Sequence, residues 1–178
     1  MNRPALLLAC VLLLNGCAGV ITEPPSATQS PPSVSAVNDT IEHQNLGWGF
    51  PVYEGQPEAG PSYVVGEGST SQFDGTVDGY VWNAAPENRT VTVSLSYGQT
   101  EAIFTETIRL SANETLGFRF EQAGQYLLTV EYMNNSGRKP ITIEPSDCND
   151  KAHVIWIDRT GMIDNSSLST SMGCPSSG

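Results

Sequence analysis

Five asparagines open Asn-x-Ser/Thr triplets: Asn38, Asn88, Asn113, Asn134 and Asn165. Such a triplet is the acceptor for N-linked glycan on surface loops of exported chains. The eleven asparagines of the chain, with about one-fifth serine and threonine, would give roughly two triplets by chance. Each of the five falls in a predicted turn or loop, where Asn, Ser and Thr also gather for conformational reasons. A second constellation has the residue types of a blue-copper site, which takes two His, a Cys and usually a Met. Cys148, His153 and Met162 follow in a suitable order, with His43 upstream. Cys148 has Cys174 as an oxidisable partner, Met162 lies beyond a predicted strand, and His43 falls in a linker. Copper is therefore kept only as a distant alternative, and no cofactor is expected.

Hydrolytic chemistry has little to stand on. There is no Gly-x-Ser-x-Gly elbow. Ser136 and Lys139 reproduce the Ser-x-x-Lys spacing, but in a predicted hairpin turn and not on a helix that would align them. The acidic pairs Asp147/Asp150 and Glu101/Glu106 are read as solvated faces, given nineteen acidic residues in the chain. No Asp-rich loop of the EF-hand kind is present. No catalytic residue is assigned, and the chain is not expected to be an enzyme.

The start of the chain carries an address. Arg3 precedes the apolar run Ala5 to Leu14, and Asn15-Gly16-Cys17 follow. Basic n-region, apolar h-region and small-residue cleavage site are the parts of a signal peptide. The run is shorter than the ~20 residues that span a bilayer, which leaves plain secretion or an uncleaved anchor as the alternative to lipidation. A cysteine directly after the cut resembles the lipobox of prokaryotic membrane lipoproteins. The resemblance implies that residues 1–16 are removed, that the Cys17 sulfur carries diacylglycerol, and that the product is lipid-anchored on the outer face of the cell membrane. Two hydrocarbon chains or more make such an anchor stable. In that oxidising compartment Cys148 and Cys174 are the remaining pair, and a disulfide is the default. It would close a loop of about 25 residues and add ~3 kcal/mol by the chain-entropy account.

Eight basic against nineteen acidic side chains leave a net charge of −11. The acid is scattered and no basic footprint exists, which argues against nucleic acid and against electrostatic docking on anionic lipid. Scattered acid with few lysines resembles the proteome bias of extremely halophilic archaea, where charge serves solubility; an acidic mesophilic secreted protein is the rival reading.

Residues 17–60 are rich in Pro, Ser, Thr and Gly and lack apolar periodicity, so they read as a flexible linker. As a coil it would reach ~35 Å. Within it Trp48, Phe50 and Tyr53 either pack as a lead-in or form a recognition patch. From Phe73 onward the apolar period is two. Val91, Val93, Leu95 and Tyr97 alternate with Thr90, Thr92, Ser94 and Ser96, and Gly98-Gln99 turns into Ile103–Leu110. Leu116, Phe118 and Phe120 form one further series, and Tyr126, Leu128, Val130 and Tyr132 another. Asn134 to Gly137 is a predicted turn toward Ile141 and Ile143. Val154–Ile157 is apolar on both faces, and Phe73–Trp82 reads as an earlier strand broken at Asp74-Gly75 and Asp78-Gly79.

Seven or eight short strands with no helical pattern predict an all-β antiparallel sandwich over 61–160, with a disulfide-tied tail at 161–178. Gly124-Gln125-Tyr126 before an alternating strand resembles the tyrosine corner of immunoglobulin-like domains. The resemblance is to fold only and implies an immunoglobulin-like β-sandwich. The expected role is a binding or interaction module for a protein, glycan or solute. The alternative is a structural spacer or a subunit of a cell-envelope assembly.

Overall fold

A computed structural model of the chain describes residues 30–38, 41, 57–67, 73–99 and 102–170. These contain ten strands: β1 (Val34–Val37), β2 (Glu58–Val65), β3 (Val77–Asn83), β4 (Arg89–Tyr97), β5 (Ala102–Leu110), β6 (Glu114–Phe120), β7 (Gly124–Tyr132), β8 (Asn135–Ile143), β9 (Lys151–Ile157) and β10 (Ile163–Ser169). They lie in two sheets, β1-β2-β6-β3-β9-β10 and β5-β4-β7-β8. The sheets pack as a sandwich around one interior cluster that includes Val81, Leu95, Leu116, Phe118, Leu128, Ile141 and Ile155.

The four-stranded sheet follows directly from its sequence. Along β4 every odd-numbered residue is buried, Val93 and Leu95 completely, and the residues between them face outward. Pleating puts successive side chains on opposite faces, so one apolar row suffices to specify one core. The expected tyrosine corner is present. The Tyr126 hydroxyl donates to the Gln122 carbonyl at 2.7 Å, and the Tyr126 ring packs on Tyr97 and Phe120. Strands β3 to β8 follow the immunoglobulin-like Greek key, with β3 beside β6 in one sheet and β4 between β5 and β7 in the other.

The six-stranded sheet departs from expectation in several ways. The sandwich is not wholly antiparallel, since β2 runs parallel to β6 and β9 parallel to β3. Residues 144–150 carry the chain from β8 across to the far side of β3, where β9 is flanked by β3 and β10. Its both-sided apolar character suits that inner place. Asp78-Gly79 is not a turn but the middle of β3, where a Cβ on Gly79 would sit 3.2 Å from the Phe120 ring. Strands β1 and the start of β2 fall inside the expected linker, and β10 inside the expected tail. All belong to one unit, Pro31–Gly178. The hairpin turn between β7 and β8 is Met133-Asn134, with Asn135 to Gly137 already in β8.

Every residue of β3 is buried, because its outer face is also covered. Tyr80 and Trp82 form a second apolar cluster with Ala152, Val154 and Ile41, and Trp156 packs against it. Ile41 lies over Gly117 and donates its amide to the Ser62 hydroxyl at 3.1 Å. Two cross-sheet ties close the sides of the sandwich. Tyr63 of β2 donates to Glu106 of β5 at 2.7 Å. Lys139 of β8 donates to Asn165 of β10 at 3.3 Å, and a Cβ on Gly137 would collide with Ile163.

Strand directions give the molecule two distinct ends. Val34 pairs with Val65, Val77 with Lys151, and Lys151 with Ser169. The chain therefore enters β1 and leaves β10 at the same end, the entry end. The opposite end, the loop end, carries the connections 84–88, 111–113, 133–134 and 158–162.

Candidate functional site

The loop end is held by buried polar side chains. Asn83, with no exposed surface, donates its amide to the carbonyls of Glu87 at 2.8 Å and Ser111 at 2.7 Å, and accepts from the Ala85 amide. One side chain thus fixes two loops. Arg89 is 4 % exposed and joins three more pieces. Its guanidinium donates to the Asp158 and Arg159 carbonyls, pairs with Glu87 at 2.6 Å and lies 4.9 Å from the centre of the Tyr132 ring. A planar fork can satisfy two carbonyls and a carboxylate while stacking on an aromatic face. Asn135 ties the 133–134 turn to the 158–162 turn by donating to the Gly161 carbonyl at 2.8 Å.

The 158–162 turn is organised by Asp158. Its carboxylate accepts from the amides of Thr160 and Met162 and from the Thr160 hydroxyl, at 2.8–2.9 Å. Burial pushes this carboxyl up, but the Thr160 hydroxyl and the surrounding backbone amides outweigh it and hold the carboxylate below its usual range. Two large apolar side chains stand out on this scaffold, Met133 at 84 % and Met162 at 60 % exposure. Met133 has φ 53°, a left-handed backbone that non-glycine residues seldom adopt. The loop end is a set of cross-bonded turns that carries these two exposed methionines.

The sequence-derived candidates are spread over the molecule. Asn88, Asn113 and Asn134 lie in loop-end connections, Asn38 follows β1 and is exposed, and Asn165 is in β10 and not in a loop. Cys148 lies in the connection between β8 and β9. Its expected partner Cys174 lies outside the described residues, as do Cys17, His43, Glu101 and the aromatics Trp48, Phe50 and Tyr53. Cys148 and Met162 flank opposite ends of β9, seven residues long, or about 20 Å of extended chain. That separation keeps them from sharing one copper ion. Among the described residues no three His, Cys, Asp or Glu side chains group as a metal site. Ser136 and Lys139 are three apart on β8 and so point to opposite faces. Asp147 pairs with Lys151 at 2.7 Å, and Asp150 accepts the Thr76 amide at 2.9 Å.

His153 lies at the seam between β8, β9 and β10. Its Nδ1 is 2.9 Å from the Ser167 hydroxyl, the contact a nucleophile and base would make. The rest of such a device is missing. Nε2 is buried with no partner among the described residues, so no carboxylate orients the ring. Burial first, and then Lys139 and Lys151, lower its pKa to about 4, leaving a weak base at neutral pH.

A charged cluster on the outer face of the six-stranded sheet had no sequence signal beyond its residue types. Asp78 is 6 % exposed, pairs with Arg119 of β6 at 3.1 Å and accepts from the Tyr80 hydroxyl at 3.1 Å. Burial pushes the Asp78 carboxyl above its usual range against the pull of Arg119 and Tyr80. All its partners are structural, and it clamps β3 to β6. No protein-family model matches the chain, and no curated protein matches it.

Proposed function

We propose that the protein is a lipid-anchored extracytoplasmic module that presents its loop end to a protein, glycan or solute and has no catalytic role. The observation that carries this reading is the placing of the two chain ends. Whatever precedes Val34 and whatever follows Ser169 join the sandwich at the entry end, so a tether there leaves the loop end pointing outward. Sandwich loops fixed on a rigid scaffold are the usual contact surface of such domains. The anchor itself rests on the Leu14-Asn15-Gly16-Cys17 pattern after an apolar run. Scattered acid fits a chain kept soluble in high salt.

The Cys148–Cys174 bond belongs to the same reading. Thr170 and Asp150 exchange hydrogen bonds at 2.9 and 3.0 Å, which brings the departing chain beside the segment that carries Cys148. Cys174 is four residues further on. Membrane fractionation tests the anchor. Cys17→Ser should move the protein from the membrane to the soluble exported fraction, or leave its leader uncut. A Cys17→Ser protein that is processed and still membrane-bound overturns the reading.

A further inference from the structure

We infer that the folded protein is an acceptor for N-linked glycan at Asn88 and Asn134, both on the loop end, and that the fold closes the Asn113 triplet. The inference rests on the exported location proposed above. In the transfer, the asparagine Nδ2 attacks the anomeric carbon of a polyprenyl-pyrophosphate-linked oligosaccharide. A C–N bond forms, the C–O bond to pyrophosphate breaks with its electron pair leaving on the phosphate, and an amide proton passes to a base of the transferase. The enzyme must reach both the asparagine and the hydroxyl two residues later.

Four of the triplets can be ranked by that requirement. Asn88 is exposed and uses only its Oδ1, which accepts the Ala112 amide at 3.2 Å. Thr90, two residues on, is exposed on the outward face of β4. Asn134 is exposed in its two-residue turn, and Ser136 is exposed on β8. In both triplets acceptor and hydroxyl are open together. Asn165 is exposed, but its Oδ1 accepts from Lys139 at 3.3 Å and the Ser167 hydroxyl is bonded to His153 at 2.9 Å. Asn113 is half-buried, its Oδ1 accepts from the Trp82 indole at 3.0 Å, and its backbone sits at φ 62°. Thr115 is 1 % exposed and donates to the Glu58 carbonyl at 3.1 Å. Reaching that hydroxyl would mean parting β2 from β6. The order is therefore Asn88 and Asn134 first, Asn165 behind them, and Asn113 last. Carbohydrate at the first two would form part of the surface that the loop end presents.

Site-resolved mass spectrometry tests the order on two preparations. One is the full chain recovered from the membranes of its own cells. The other is the purified, folded full chain incubated with an Asn-x-Ser/Thr oligosaccharyltransferase and a polyprenyl-pyrophosphate-linked oligosaccharide. Glycan at Asn88 and Asn134 with Asn113 bare is the expected result, and Asn88→Gln and Asn134→Gln should each remove one glycan mass. Occupied Asn113 on the folded chain overturns the proposal, and so do bare Asn88 and Asn134 on chain that carries lipid at Cys17. A chain found without lipid and off the membrane instead defeats the exported reading. The purified arm still scores the acceptor order in that case.

Discussion

The two sheets solve the same packing problem differently. The four-stranded sheet buries one face and leaves the other wet, so each strand needs only one apolar row. The six-stranded sheet is covered on both sides along β3, and there Asp78, Tyr80 and Trp82 are buried as well as Val77 and Val81. A polar cluster is tolerable on that outer face because each member finds a partner, Asp78 with Arg119 and Tyr80. The contrast teaches that one sandwich can hold a core between its sheets and a second, smaller core outside one of them.

If the outer cluster is a true second core, Trp82→Ala should cost about 4 kcal/mol, in the range for truncating a buried aromatic. Val93→Ala in the one-sided sheet should cost about half that. Both are read from urea midpoints at constant m-value. A Trp82→Ala loss below that of Val93→Ala would reduce the outer face to a loosely covered surface.

The seam joining the sheets at His153 should respond to acid. Its folded pKa of about 4 lies below the unfolded value of ~6.5, so the unfolded chain binds the proton more readily between the two. This contribution is complete above pH 6.5 and is lost as pH falls toward 4. It amounts to ~2 kcal/mol after allowance for the ring's remaining contact with water. Melting curves from pH 7 to 4 should show the loss in the native protein and a shallower slope in His153→Gln. Equal slopes would show that the seam is open to solvent.

The smallest effect belongs to the tyrosine corner. Tyr126→Phe removes only the bond to Gln122 and should cost about 1 kcal/mol. An unchanged melting temperature would mean that ring packing on Tyr97 and Phe120 does all the work of that corner.

Legibility in the sequence follows the same division. Strands β4, β5 and β7 could be placed from Val91–Tyr97, Ile103–Leu110 and Tyr126–Tyr132, because a single buried row imposes a period of two. The Tyr126 bond was readable from Gly124-Gln125-Tyr126. In β3, Asp78-Gly79 imitates a turn signal, and the charge that partners the acid, Arg119, is distant in sequence. β1 escaped because four residues, Val34–Val37, are too few to show a period, and β10 because an edge strand is blunted with polar residues. Asp164, Asn165 and Ser167 along β10 face solvent, so the segment carries no alternating apolar row. At the loop end the exposed methionines and the triplets stood in the sequence, but the anchors did not. That Arg89 and Asn83 are buried is a property of where the chain returns to meet them.

The parallel pairs also set the order in which the structure can be assembled. The hairpins β4–β5 and β7–β8 close between neighbours and can form as soon as their residues are available. β3 has to wait for Lys151–Ile157, and β2 for Glu114–Phe120, before their parallel ladders exist. Synthesis delivers the chain from its N-terminus, so the first-made strands are among the last to be completed. Until β9 arrives, one side of β3 stands open with Tyr80 and Trp82 lacking their Val154 and Trp156 neighbours. A nascent chain halted after Ile143 would therefore hold a finished four-stranded sheet beside an unfinished, adhesive one.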